Sequence, residues 1–234
     1  MADRTPPSPS RTSSPVHAAL KEGTLAAHRA AEQALPGDKI MDGSITEREY
    51  GDLLQTHFIL LTRLERDAHA EKLPMEIRSD LTVLHTSLIP DLLVHFGSSA
   101  LGALREKPAE MNGTGEVNPG SSATSPAPAA EQNEPPIAAD PAHAYAEFLG
   151  RLYVSFGSTM GGRMMARKLK HVPALKHWDN HHFFGACSDF TQEWPEFLRY
   201  LSKKINPEHV PYAVAAANAA FADFRATYAR LAKA

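Results

Sequence analysis

The chain has 234 residues, 43% of them hydrophobic, and a formal net charge of −3. That length supports one domain with a real core, and the near-neutral balance lacks the basic excess of a nucleic-acid or membrane-surface binder. The single cysteine, Cys187, excludes an intramolecular disulfide framework and suits a reducing cytoplasm, and no run of about 18 apolar residues is present to span a membrane.

Residues 1–15, "MADRTPPSPSRTSSP", have no apolar core, so they read as a disordered tail and not a secretory signal. From Val16 the pattern turns helical, and the first helix is expected over about 16–34, ending at "PGD". Thr46 and Glu49 form a capping box that opens a second helix. Its apolar face is Tyr50, Leu53, Leu54, His57, Phe58, Leu61 and Leu64. After Pro74, "MEIRSDLTVLHTSL" and "PDLLVHFGSSALGAL" read as two further helices separated before Pro90. Gly, Pro, Ser and Ala then dominate about 107–136, which is expected to be a disordered loop. Asp140-Pro141 restarts a helix that runs to about Lys170. Asp189 is expected to cap a helix reaching about Lys204, and Asn206-Pro207 opens the last one. No β-alternation competes. The expected architecture is all-α: one multi-helix domain over 16–234, interrupted by the loop.

Two stretches carry possible chemistry. "FGSTMGGRMM" (156–165) places Gly157, Gly161 and Gly162 inside a helix, although each interior glycine costs roughly 0.5–1 kcal/mol relative to alanine. Gly150, Gly157 and Gly161 share one face, with Gly162 beside it. Arg151, Arg163, Arg167 and Lys168 rule out a membrane dimer face, and Arg163-Met164 stands where a P-loop needs Lys-Ser/Thr. Either another helix packs closely on this face, or something large and flat lies across it. In "LKEGTLAAHRAAEQ" (20–33), His28 and Glu32 are i and i+4 on one helix face, with Lys21 and Thr24 on the same side. Such a pair is either ordinary surface or an imidazole whose second ring nitrogen is held by a carboxylate for metal ligation.

A third stretch, "HWDNHHFFGAC", offers His177, Asp179, His181, His182 and Cys187, but their spacing matches no common zinc pattern and reads as a polar loop. Cys187 reads as a small buried residue. The paired Glu-x-x-His signature of di-iron carboxylate bundles is missing.

Taken together, the two helices resemble those of the heme oxygenases. "LKEGTLAAHRAAEQ" is similar to the family's N-terminal helix, where Leu-Lys-Glu-x-Thr precedes the proximal heme-ligand histidine. The resemblance therefore implies His28 as the iron ligand and Glu32 as its partner. "LYVSFGSTMGGRMM" resembles the family's glycine-rich distal helix, with Gly157, Gly161 and Gly162 on the Gly-x-x-x-Gly-Gly element. Its wording, "YVxxGSxxGG", resembles the bacterial, phytochrome-associated branch. "HAYAEFLG" mimics the distal segment seven residues earlier, but only the Gly157 register supplies both Gly161 and Gly162.

The resemblance implies a cytoplasmic enzyme that cleaves heme with O2 and external electrons, giving biliverdin, CO and free iron. Implied partners are a ferredoxin or flavin reductase and a phytochrome that receives biliverdin. Ser158 stands where animal-type members carry a distal aspartate. The family's propionate-binding lysine falls on Leu25, leaving Lys21 as the cation of that helix, with Arg199 as a further candidate. Two other functions suit the same fold: a heme-binding sensor or carrier that does not degrade heme, and a heme-free thiaminase-like enzyme.

Overall fold

The computed structural model describes residues 14–71, 73–106, 140–178, 180–190 and 192–234. The expected tail as far as residue 13, the expected loop at 107–136, and Asp179 lie outside the described residues. Among those described there are eight α-helices and no strand, so the all-α expectation holds.

Local caps set several starts. α1 (Pro15–Ala34) begins a residue before the expected position, because the Ser14 side chain accepts from the His17 amide at 3.2 Å and Pro15 sits at the first helical position. Ser14 and Pro15 therefore belong to the helical domain and not to the tail. A short α2 (Gly37–Asp42), not expected from "PGD", ends at Gly43, whose φ of 80° is left-handed. α3 (Glu47–Ala70) has both arms of its capping box: Thr46 Oγ1 accepts from the Glu49 amide, and Glu49 Oε2 accepts from the Thr46 amide.

Two expectations need correction. Residues 75–104 do not split before Pro90; α4 (Met75–Glu106) continues through it and breaks instead at Gly97, with φ 71° and ψ 173°. Proline removes one helical amide donor, and the break falls where glycine tolerates positive φ. Asp189 does not cap the helix that reaches Lys204, whose N-cap is Glu193; it lies near the end of a separate helix, α6 (His182–Phe190). The cap of α6 comes from across the fold: the fully buried Asp91 of α4 accepts from the His182 and Phe183 amides, each at 3.0 Å. Burial raises the Asp91 pKa, and the two amide hydrogen bonds oppose that rise.

α5 (Pro141–Leu169) starts on Asp140, whose Oδ1 accepts from the Ala142 amide at 2.9 Å. α7 (Trp194–Lys204) and α8 (Val210–Leu231) complete the chain. α5 and α1 both lean on α8, while α6 fills the space between α4 and α5. At the α5–α8 crossing a Cβ on Gly150 would lie 2.1 Å from the Ala213 carbonyl oxygen, so the two backbones nearly touch. Leu20, Tyr50, Leu54, Phe148, Leu149 and Phe156 are fully buried around this crossing and the α3 layer. Each such side chain is worth about 1.5–3 kcal/mol. No helix among the described residues is long and apolar enough to cross a membrane.

Candidate active site

A cleft of about 1030 Å³ opens beside α8, lined chiefly by α1 and α5, with contributions from α2, α3, α6 and Trp194. This is at the top of the usual range for small-molecule sites. α1 presents one face to it: His17, Lys21, Thr24, His28 and Glu32 recur at three- and four-residue steps. The cleft thus unites Lys21, His28 and Glu32 with Gly157, Ser158 and Gly161 of α5.

His28 is half-exposed, with Nδ1 3.6 Å from Glu32 Oε2. That separation is an electrostatic pairing, longer than a hydrogen bond. The His28 ring stands edge-on to Phe221 at 5.4 Å. At one end of the cleft His17 contacts Tyr153 and Trp194, and burial, with the nearby Lys21 charge, lowers the His17 pKa.

The glycines of α5 divide between two tasks. A Cβ on Gly161 would meet nothing within 4 Å, and one on Gly157 would meet only Trp194, at 3.5 Å. Both residues leave bare backbone on the cleft wall. Gly162 is different. It is buried, and a Cβ there would lie 2.6 Å from the Cβ of Cys187 on α6. It was expected beside the glycine face and as a site residue; one residue is 100° of helix, enough to turn Gly162 from the cleft into the α5–α6 contact. Gly150 likewise serves helix packing.

Arg199 is also corrected. It is exposed, paired with Glu196 and absent from the cleft lining. Phe197 and Leu201 face the core, and a residue between them on the helix points outward. The cation that joins Lys21 at the cleft is Arg29. It sits eight positions after Lys21, on the same side of α1, and that spacing was readable in the sequence.

Beneath Ser158 lies a second, small cavity of about 10 Å³, lined by His57, Ser155, Ser158, Thr159 and four apolar side chains. It has room for roughly one water molecule. Ser158 Oγ donates to the Ser155 carbonyl at 2.7 Å, and Thr159 Oγ1 to the Phe156 carbonyl at 2.6 Å, so both oxygens retain acceptor capacity. His57 lines both this cavity and the cleft. Its Nδ1 lies 3.2 Å from the Leu53 carbonyl, which only accepts, so Nδ1 carries the proton and Nε2 is the acceptor. Burial among Phe183, Phe184 and Phe224 lowers the His57 pKa to about 3, so the ring is neutral. The sequence signal for this residue was a lone polar position on the apolar face of α3.

The 177–187 stretch forms no three-ligand group among the described residues. His177 pairs with Glu47 at 3.1 Å, and His181 Nδ1 meets the Tyr50 hydroxyl at 2.8 Å. Cys187 lines the cleft as a buried thiol, and burial pushes its pKa up, away from thiolate chemistry.

No protein-family model matches the chain. No curated protein matches it either. Among solved structures, it is similar to a heme oxygenase-1 of the cyanobacterium Synechocystis in complex with heme. The two share 16% identity and superpose with a TM-score of 0.56, covering 93% of this chain and 94% of that one. The chain therefore has the all-α fold of a heme oxygenase.

Proposed function

We propose that this chain is a heme oxygenase that opens heme, with O2 and electrons from an external donor, to biliverdin, CO and free iron. One observation carries the reading: His28, with its carboxylate partner Glu32, shares a large cleft with the bare α5 backbone at Gly157 and Gly161. A flat macrocycle needs such a wall, since a side chain at Gly161 would project into open space. The residues present fit heme. The heme-bound state of the structural neighbour adds support, as does the resemblance of the His28 and Gly157–Gly162 stretches to heme oxygenase motifs.

When bound, heme supplies both the iron at which O2 is reduced and the macrocycle that is opened. The chain's residues bind and orient the heme and handle protons, while O2 and electrons come from outside. Glu32 favours a proton on His28 Nδ1, leaving Nε2 as a neutral ligand atom, a weaker electron donor than a cysteine thiolate. Lys21 and Arg29 are the cleft cations suited to heme carboxylates. Phe183, Phe184, Phe221 and Phe224 exclude bulk water. Ser158 brings a hydroxyl and no charge, and with Thr159 and His57 Nε2 it can hold a proton-carrying water beneath the α5 wall. The wording of α5 is similar to that of the bacterial, phytochrome-associated branch, and on that resemblance the proposal takes a ferredoxin or flavin reductase as donor, a phytochrome as acceptor of biliverdin and a cytoplasmic setting.

The test is to add hemin to the full chain and then supply reductant and O2. A Soret band that gives way to biliverdin absorption is expected, with the Soret band lost in His28→Ala. A Soret band that persists without biliverdin indicates a carrier or sensor. Unchanged hemin binding in His28→Ala, or none in the wild type, favours the heme-free alternative.

A further inference from the structure

Outside the cleft, at the start of α5, Asp140, His143 and His209 place one ligand atom each within 4.8 Å of one another. None of the three lines the cleft. Asp140 Oδ2 lies 3.6 Å from His143 Nε2 and 3.8 Å from His209 Nε2. Three ligands on one tetrahedral metal, with bonds of about 2.0–2.1 Å, stand roughly 3.3–3.4 Å apart. The two carboxylate–imidazole separations are a few tenths of an ångström from that arrangement, and the two imidazoles stand with ring centroids 5.0 Å apart.

The groups are also oriented. The Ala142 amide holds Asp140 Oδ1 at 2.9 Å, which leaves Oδ2 to face the imidazoles. Tyr212 stacks on the His143 ring at 4.0 Å and 19°, restraining its rotation. His209 is largely buried, with 12% of its side chain exposed, and it comes from the short 3-10 turn that leads into α8.

We infer that Asp140, His143 and His209 form a binding site for a borderline divalent transition metal such as Zn2+. Two imidazoles and one carboxylate suit Zn2+, Ni2+ or Cu2+ and disfavour Mg2+ and Ca2+, which demand oxygen ligands. Three protein ligands leave a coordination position open to solvent. The bound ion clips the N-terminus of α5 to the entry of α8. This site is independent of the heme reading.

The test is calorimetric titration of the untagged, heme-free full chain with ZnCl2. One high-affinity equivalent is expected, retained in the presence of millimolar Mg2+ and in His28→Ala. Asp140→Asn keeps a helix-capping oxygen while removing the anionic one. It, His143→Gln and His209→Gln should each weaken binding by about tenfold or more. Wild-type affinity in any of the three, or no binding by the wild-type chain, overturns the site. Cu2+ electron paramagnetic resonance on the wild-type chain removes any dependence on how the variants fold. Coupling to two nitrogens is expected, and coupling to none, or to four, overturns it.

Discussion

Gly162 lies so close to Cys187 that a Cβ on the glycine would stand 2.6 Å from the cysteine Cβ. The contact is between an α5 backbone and the root of an α6 side chain, so no distal rotation relieves it. Gly162→Ala should destabilise the heme-free protein by about 1–3 kcal/mol, the usual cost of overpacking. Gly150→Ala should cost more, because its Cβ would meet the Ala213 carbonyl oxygen at 2.1 Å and only a backbone shift makes room. Urea unfolding midpoints would check both. A Gly162→Ala variant as stable as wild type removes the packing role.

Gly161→Ala should do the reverse. With nothing within 4 Å of the new methyl, helix propensity governs the heme-free protein, which should gain about 0.5–1 kcal/mol. The methyl enters the cleft, however, so heme turnover should fall, by up to about a hundredfold if the substrate is displaced. Unfolding and single-turnover biliverdin formation, measured on the same preparation, separate the two effects. A variant that is both more stable and fully active would show that the glycine wall has no role in turnover.

The difference between these glycines explains what was legible in the sequence. Helix starts at Thr46 and Asp140 were readable because capping is local, decided within three or four residues. The cap of α6 was not, because Asp91 reaches it across some ninety residues. Periodicity set Gly150, Gly157 and Gly161 on one stripe with Gly162 beside it, but whether a glycine faces a cleft or a neighbouring helix depends on tertiary packing, which turns Gly150 and Gly162 to helix contacts. Arg29 and Arg199 are the opposite case: helical arithmetic alone separates a cleft-facing arginine from one opposed to Phe197 and Leu201. Gly97 broke α4 where Pro90 had been expected to, since an interior proline can be tolerated while a left-handed residue ends the ladder.

His57 should make the fold acid-sensitive. The unfolded chain takes up its proton near pH 6.5, whereas the buried ring resists protonation down to about pH 3. Unfolding therefore binds a proton in that window, and stability that is fully present above pH 6.5 is lost as the pH falls. The slope from this single group is at most about 1.4 kcal/mol per pH unit. His17, His95 and His181, also lowered by burial, add in the same direction. His57→Met should reduce the slope without abolishing it, as read from urea unfolding over a pH series. An unchanged slope would mean that the ring is hydrated in the folded state.

The two cleft cations of α1 should matter for hemin affinity, and Arg199 should not. Lys21 and Arg29 line the cleft, whereas Arg199 is held by Glu196 on the outer face of α7. Hydrogen-bonded charge pairs at a partly exposed rim contribute on the order of 1 kcal/mol, so Lys21→Ala and Arg29→Ala should each weaken hemin binding roughly three- to tenfold. Because the attraction is Coulombic, the loss should shrink as salt is added. Arg199→Ala should bind hemin as the wild type does. Soret titrations at low and high ionic strength provide the measurement. Weakening by Arg199→Ala with no change in the other two would place the heme carboxylates at α7 and remove Lys21 and Arg29 as their partners.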